Sequence, residues 1–152
     1  MSKRQPHTGT VTRSVVVNKS SQRVWREISN ITNLPRWIVG IKKCIITSKK
    51  RRGIGSIRLI TFQDGSLLEE QIVSWNNGKS FSYIAAGKMP LRAYFATLSI
   101  KRLGKNLTKL TWSGYIATNR VTKISFEKTI SEFDFIYKSS LPRLKSLIEN
   151  PS

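Results

Sequence analysis

Cysteine, histidine and acidic residues are scarce in this chain. Cys44 is its only cysteine and His7 its only histidine. A lone cysteine excludes an internal disulfide, and a cytoplasmic location follows as the default expectation. One histidine near the N-terminus leaves little material for a Ser-His-Asp triad or a Cys-His pair. Cys44 and His7 together do not make a four-ligand zinc site. No cofactor or metal is therefore expected, and any catalysis would have to rest on a carboxylate, a tyrosine or a lysine. Long apolar runs are missing too, so no segment reads as a membrane span. The basic opening from Met1 to Arg13 is not followed by an apolar stretch and does not read as a secretory signal.

The shortage of acids has the largest consequence. Eight acidic residues face 27 basic ones, a formal charge of +19. Such a field attracts anions: nucleic acid, an anionic membrane surface or an acidic ligand. The densest cluster is Lys49, Lys50, Arg51 and Arg52, with Lys42 and Lys43 close by. These six are the candidate contacts for an anionic partner, although a solvated loop between two strands carries the same kind of charge run.

A hydrophobic fraction of 39% and four tryptophans indicate a folded chain. Residues 1–9 read as a flexible basic tail and 10–150 as a single domain. The organising stretch runs from Phe126 to Ile148. Its apolar residues, Phe126, Ile130, Phe133, Tyr137, Leu141, Leu144 and Ile148, recur in steps of three and four, one face of a long α-helix. Pro142 interrupts this pattern, which predicts a kink near Lys138 or a second segment capped by Ser140, with the apolar stripe continuous. Upstream the chain reads mostly as strands, beginning at Thr10–Val17. Ser20 or Ser21 caps a short helix bearing Val24, Trp25 and Ile28. Asn33 and Pro35 start a second one, Leu34–Val39. The layout is α+β.

Turn chemistry then sets strand register. Gly53 and Gly55 shape a turn or bulge, because no helix follows them as a dinucleotide fingerprint requires. If Gln63-Asp64-Gly65 forms a three-residue loop with Gly65 left-handed, Ile60 pairs with Leu68 and Arg58 with Glu70. If Asn77-Gly78 forms a two-residue turn, Ser74 pairs with Phe81, Ile72 with Tyr83 and Glu70 with Ala85. One face then carries Ile60, Phe62, Leu68, Ile72, Phe81 and Tyr83, with Arg58 opposite Glu70. That pair either presents polar groups to a ligand in an apolar cavity or is purely structural. Beside Arg58, Glu70 is expected to have a lowered pKa. A third hairpin turns at Leu103–Asn106. Its first strand points Tyr94, Ala96, Leu98 and Ile100 to one side. Its second has two candidate inner faces: Leu110, Trp112 and Ile116, favoured by pattern, or Thr111, Ser113 and Tyr115.

The order of these features resembles a known family. It runs from Val24-Trp25 through Leu34-Pro35-Arg36-Trp37 and Ile41-Lys42-Lys43-Cys44 to Gly53-x-Gly55-x-x-Arg58. Asp64-Gly65, Glu69-Glu70, the block from Phe81 to Tyr94 and the final helix complete it. This looks like the START-like, Bet v 1-like (SRPBCC) superfamily, in particular its polyketide cyclase/dehydrase and lipid transport group. The resemblance implies a helix-grip fold: a seven-stranded curved antiparallel sheet around a long C-terminal helix, with two short helices after the first strand. It also implies a cavity for a small hydrophobic ligand. By position, the pocket glutamate of the related plant hormone receptors falls on Glu70, their pocket tyrosine on Tyr94 and the next inward position on Ala96. Wall positions fall on Phe81 and Tyr83. Their pocket lysine falls on Ile38 and a second carboxylate on Ser113, so both charges are absent here. The receptors' gating-loop sequence is not matched by Phe62-Gln63-Asp64-Gly65. The carry-over also turns Ser113 and Tyr115 inward, against the apolar pattern.

Three functions remain open. The first is binding or transport of an apolar molecule with a polar or acidic end, lined by the residues above with Phe133, Ile136 and Tyr137 of the helix. The second is a basic module for nucleic acid or an anionic membrane surface. The third is a cyclase- or dehydratase-type enzyme using Glu70 as base and Tyr94 to orient a carbonyl, with the lowered pKa of Glu70 counting against it.

Overall fold

The computed structural model describes residues 6–86, 91–119 and 121–151. Strand β1 (His7–Val17) leads into helix α1 (Ser21–Ile28) and a 3₁₀ turn (Leu34–Arg36). Six strands follow: β2 (Ile41–Ile46), β3 (Ile57–Phe62), β4 (Leu67–Asn76), β5 (Ser80–Ala86), β6 (Ala93–Gly104) and β7 (Leu107–Thr118). Helix α2 (Lys123–Glu149) ends the order. The strands form one seven-stranded antiparallel sheet in the order β1-β7-β6-β5-β4-β3-β2, curved around α2. This is the helix-grip architecture. Among the described residues, no helix is long and apolar enough to cross a membrane.

Local chemistry accounts for the elements. The Ser20 hydroxyl accepts from the Arg23 N–H and caps α1. The Thr122 hydroxyl does the same for α2 through the Ser125 N–H. Pro151, two residues beyond Glu149, disfavours helical backbone at Asn150. Gly65 is left-handed at φ 87°, and the Phe62 N–H bonds the Ser66 carbonyl, closing the three-residue loop. Gly53 and Gly55, at φ 75° and 94°, turn the chain into β3.

Several details differ from the sequence reading. Strand β1 starts at His7, opposite Thr118, so His7, Thr8 and Gly9 belong to the sheet rather than to a tail. The His7 ring stacks on Phe126 of α2 at 5.5 Å, which holds this end in place. The segment after Asn33 forms only a 3₁₀ turn, because Asn33 is otherwise engaged. Its amide donates to the Glu27 backbone and side chain and accepts from the Trp37 indole, so it caps nothing. Helix α2 is unbroken through Pro142, and Ser140 caps no second segment: its hydroxyl accepts from the Val39 N–H instead. The buried stripe Tyr137, Leu141, Leu144 and Ile148 is continuous across the proline.

The loop between β4 and β5 has three residues rather than two, and Trp75 pairs with Phe81. A bulge at Val73 then returns Ile72 to Tyr83 and Glu70 to Ala85. The two rings brought together, Trp75 and Phe81, stack at 5.3 Å beneath Trp25 of α1 and close that end of the sheet. Along the other flank, Arg13 of β1 forms a bidentate pair with Asp134 of α2 at 2.8 and 2.7 Å. Lys145 bonds the Val16 carbonyl at 2.7 Å. These contacts fix the helix against β1 and so set which of its side chains look into the sheet.

Candidate functional site

Because side chains alternate along a strand, the register above sends Arg58 and Ile60 of β3 to the concave side. With them go Leu68 and Glu70 of β4, Phe81 and Tyr83 of β5, Tyr94 and Ala96 of β6, and Trp112 of β7. The helix contributes Phe133, Ile136 and Tyr137. Between these surfaces lies a cavity of about 120 Å³. Its walls are Leu34, Ile38, Ile41, Ile60, Phe62, Leu68, Tyr83, Tyr94, Trp112, Phe133, Ile136 and Tyr137, and Glu70 is the only ionisable carboxyl among them. Phe62, Leu68, Phe133 and Ile136 also border a larger groove of about 910 Å³, which continues past Leu67, Leu91 and Val121.

Arg58 and Glu70 form a buried ion pair, 1% and 6% exposed in their side chains. Arg58 donates to Glu70 Oε1 twice, from Nε at 3.0 Å and Nη2 at 2.8 Å. Its Nη1 donates to the Ile31 carbonyl at 2.8 Å. The guanidinium also lies over the Tyr83 ring, 4.6 Å from its centre. Both bonds to Glu70 end on Oε1, and among the described residues no donor reaches Oε2. Oε2 therefore has no protein partner but keeps some accessible surface; among the described residues Ser56 Oγ is the one fully buried side-chain polar atom left without a partner.

Burial raises the Glu70 carboxyl above the ordinary carboxylate range, against the charge and hydrogen bonds of Arg58. This reverses the lowering expected from Arg58 alone, and the reason is burial of the carboxylate, which outweighs the charge and hydrogen bonds of Arg58. Burial likewise raises the hydroxyls of Tyr83, Tyr94 and Tyr137, which remain neutral donors and acceptors. These hydroxyls are already engaged. The Trp112 indole donates to Tyr83, and Tyr94 is bonded to Tyr137. Cys44 is held as a thiol, its pKa pushed up to about 11 by burial, with Arg58 pulling it down and Glu70 raising it.

The cavity gathers Ile38, Ile60, Phe62, Leu68, Glu70, Tyr83, Tyr94, Phe133, Ile136 and Tyr137 from the residues expected at the site. Arg58 stands behind Glu70 rather than on the wall. Phe81 and Ala96 point inward but are sealed into the core at 1% and 0% exposure. Ser113 and Tyr115 face away from the cavity, opposite to the expected orientation. The Ser113 hydroxyl meets Thr12 on the outer face, and Tyr115 is exposed there. Trp112 is the inward residue, because its ring stacks on Tyr137 with centroids 3.7 Å apart and meets Trp37 edge-on at 5.0 Å. The alternating apolar pattern of Leu110, Trp112 and Ile116 carried that signal. Leu34 and Ile41 were not anticipated, since a short turn and an edge strand give no face from spacing alone. Lys42, Lys43, Lys49, Lys50, Arg51 and Arg52 are all exposed, on β2 and the connection to β3.

Gly114 completes the wall. A Cβ at this position would lie 2.4 Å from the Tyr137 hydroxyl oxygen and 3.2 Å from Cζ. Gly114→Ala is therefore expected to displace Tyr137 and its bond to Tyr94, at a cost of about 1–3 kcal/mol. Urea unfolding checks the stability, and near-ultraviolet circular dichroism reports the Trp112–Tyr137 stack. An unchanged midpoint and spectrum would contradict this packing.

The sequence matches a protein-family model described as polyketide cyclase / dehydrase and lipid transport over residues 8–149. No curated protein matches the chain. Solved structures share its fold. XoxI from Bacillus cereus superposes with a TM-score of 0.79 at 23% identity, covering 93% of this chain and 96% of that one. A START superfamily protein from Mycobacterium smegmatis gives 0.75 at 17% identity, with 94% and 99% covered. Norcoclaurine synthase from Thalictrum flavum, in complex with dopamine and hydroxybenzaldehyde, gives 0.74 at 16% identity, with 97% and 90% covered.

Proposed function

Because the chain belongs to the polyketide cyclase/dehydrase and lipid transport family, we propose that it binds a small hydrophobic molecule whose one polar end donates a hydrogen bond to Glu70. The observation that carries this reading is the unpartnered Oε2 of a buried carboxylate on an otherwise apolar and aromatic wall. An acidic end fits poorly, because Arg58, the only buried cation beside the cavity among the described residues, is committed to Oε1 and Ile31. The 120 Å³ space suits the polar head, and the adjoining groove suits the remainder of a lipid- or polyketide-sized molecule.

Native mass spectrometry of the purified chain tests for retained ligand. Titration with 1-decanol and with its methyl ether then tests the role of Glu70. The alcohol is expected to bind better than the ether. Glu70→Gln is expected to weaken the alcohol roughly tenfold, as loss of a charge-assisted hydrogen bond would, and to leave the ether unchanged. A urea midpoint measured alongside separates this effect from loss of folding. Equal affinities for alcohol and ether in both proteins would overturn the assignment.

A second reading, turnover of the bound molecule, is favoured by the raised Glu70 carboxyl, since a general base needs a pKa moved toward neutrality. Norcoclaurine synthase, a structural neighbour with aromatic ligands bound, is consistent with chemistry on this fold. Full turnover of an identified substrate by Glu70→Gln would remove this reading.

A further inference from the structure

We propose that the cleft between the end of α1 and the β2–β3 connection binds a phosphate-type oxyanion through Arg26, Arg51 and Arg52. The cleft has a volume of about 250 Å³ and is lined by these three arginines with Ser29, Asn30 and Thr32 among its other walls. It lies apart from the apolar cavity and shares none of its lining residues.

Three observations support it. First, the arginines come from two segments far apart in sequence yet border one concavity. Like charges repel, so an arrangement without a counter-charge is stabilised by an anion. Second, no carboxylate lines the cleft. Among the described residues, none of the three arginines is in a salt bridge. The neighbouring carboxylate of Glu27 is occupied by Arg23 and by the Asn33 amide. Third, the β2–β3 connection is tied in place. The Ile57 N–H donates to the Ser48 hydroxyl, and the Gly55 N–H donates to the Ile72 carbonyl.

The chemistry selects the ligand class. Guanidinium forks match the paired oxygens of a phosphate group, and the Asn30 amide supplies a further donor, held in place by the Thr32 hydroxyl that donates to its oxygen. A terminal phosphate in a concave site is favoured over a polynucleotide, which needs an extended basic track for successive backbone phosphates. A soluble phosphomonoester and a lipid headgroup both carry such a phosphate. Ile31, on the cleft wall, is also the residue whose carbonyl accepts from Arg58. The cleft and the ion pair of the cavity therefore share one backbone segment.

The test is calorimetric titration of the full chain with inorganic phosphate at low salt, beside sedimentation with phosphatidylcholine vesicles with and without phosphatidic acid. Arg26→Ala, Arg51→Ala and Arg52→Ala are each expected to weaken binding roughly tenfold. The control is the double variant Lys101→Ala/Lys109→Ala, which removes two exposed charges from facing positions of β6 and β7. It is expected to change affinity less than about twofold. Phosphate binding with this pattern supports a soluble ligand. Binding only to phosphatidic acid vesicles, with the same pattern, supports a headgroup. Absence of both, or an equal loss in the lysine control, would overturn the proposal in favour of a diffuse charge effect. Circular dichroism of each variant confirms that the exposed substitutions leave the fold intact.

Discussion

Replacing Arg58 by methionine is expected to lower the unfolding free energy by about 3–5 kcal/mol at neutral pH, because the Glu70 carboxylate is left buried without its partner. The same change removes the bond to the Ile31 carbonyl and the contact with the Tyr83 face. The loss is expected to depend on pH in a defined direction. Burial already holds the folded-state pKa of Glu70 above its unfolded value. Such a group binds its proton more tightly when folded, so its contribution to stability is fully present below the ordinary carboxylate range and is lost as pH rises through the folded value. Without Arg58 the folded value rises further. The difference in urea midpoint between variant and wild type should therefore be small in acid and grow toward neutrality. Comparing the two proteins at each pH cancels the titration of surface carboxylates such as Asp134 and Glu149. The double variant Arg58→Met/Glu70→Leu is expected to recover most of the loss, since apolar replacements of buried pairs are often as stable. A single variant within about 1 kcal/mol of wild type at neutral pH would show that the pair is not desolvated as described.

Trp112→Ala is expected to cost about 3–5 kcal/mol, the range for truncating a large aromatic in a core. Trp112 is 3% exposed, stacks on Tyr137, meets Trp37 edge-on and donates to Tyr83. Truncation also opens space beside Glu70, so bulkier apolar probes should bind the variant better relative to small ones. Trp112→Phe keeps a stacking ring and loses only the indole donor, for an expected cost of about 1 kcal/mol. Urea unfolding and near-ultraviolet circular dichroism of the pair separate the two contributions. A cost below about 1 kcal/mol for the alanine variant would place Trp112 outside the core.

The β3–β5 hairpins show how much of the site was legible beforehand. Asp64-Gly65 specified its loop, and the pairing of Arg58 with Glu70 followed from counting outward. The next hairpin was read with a loop one residue too short. The bulge at Val73 shifts the register back by one, so Ile72 and Glu70 still meet Tyr83 and Ala85. A bulge of this kind leaves no local sequence signal, because it is chosen by how Trp75, Phe81 and Trp25 fit together. On β7 the apolar alternation was correct, and the position carried over from the family resemblance misassigned Ser113 and Tyr115. A one-residue offset in such a transfer turns every side chain to the opposite face.

The amino-acid sequence alone determined the α+β layout of strands before one long terminal helix, the apolar stripe of α2 and the opposition of Arg58 to Glu70, and the family resemblance added the helix-grip fold. Those features depend on period, turn chemistry and residue order, which act over a few neighbours at a time. Tertiary structure alone decided that Glu70 binds its proton more tightly than an exposed carboxylate and leaves one oxygen toward the cavity. It alone decided that Trp112 seals the wall against Tyr137, and that Arg26 shares a cleft with Arg51 and Arg52. Desolvation, ring packing and the meeting of distant charges depend on what fills the space around a side chain, and only the folded chain defines that space.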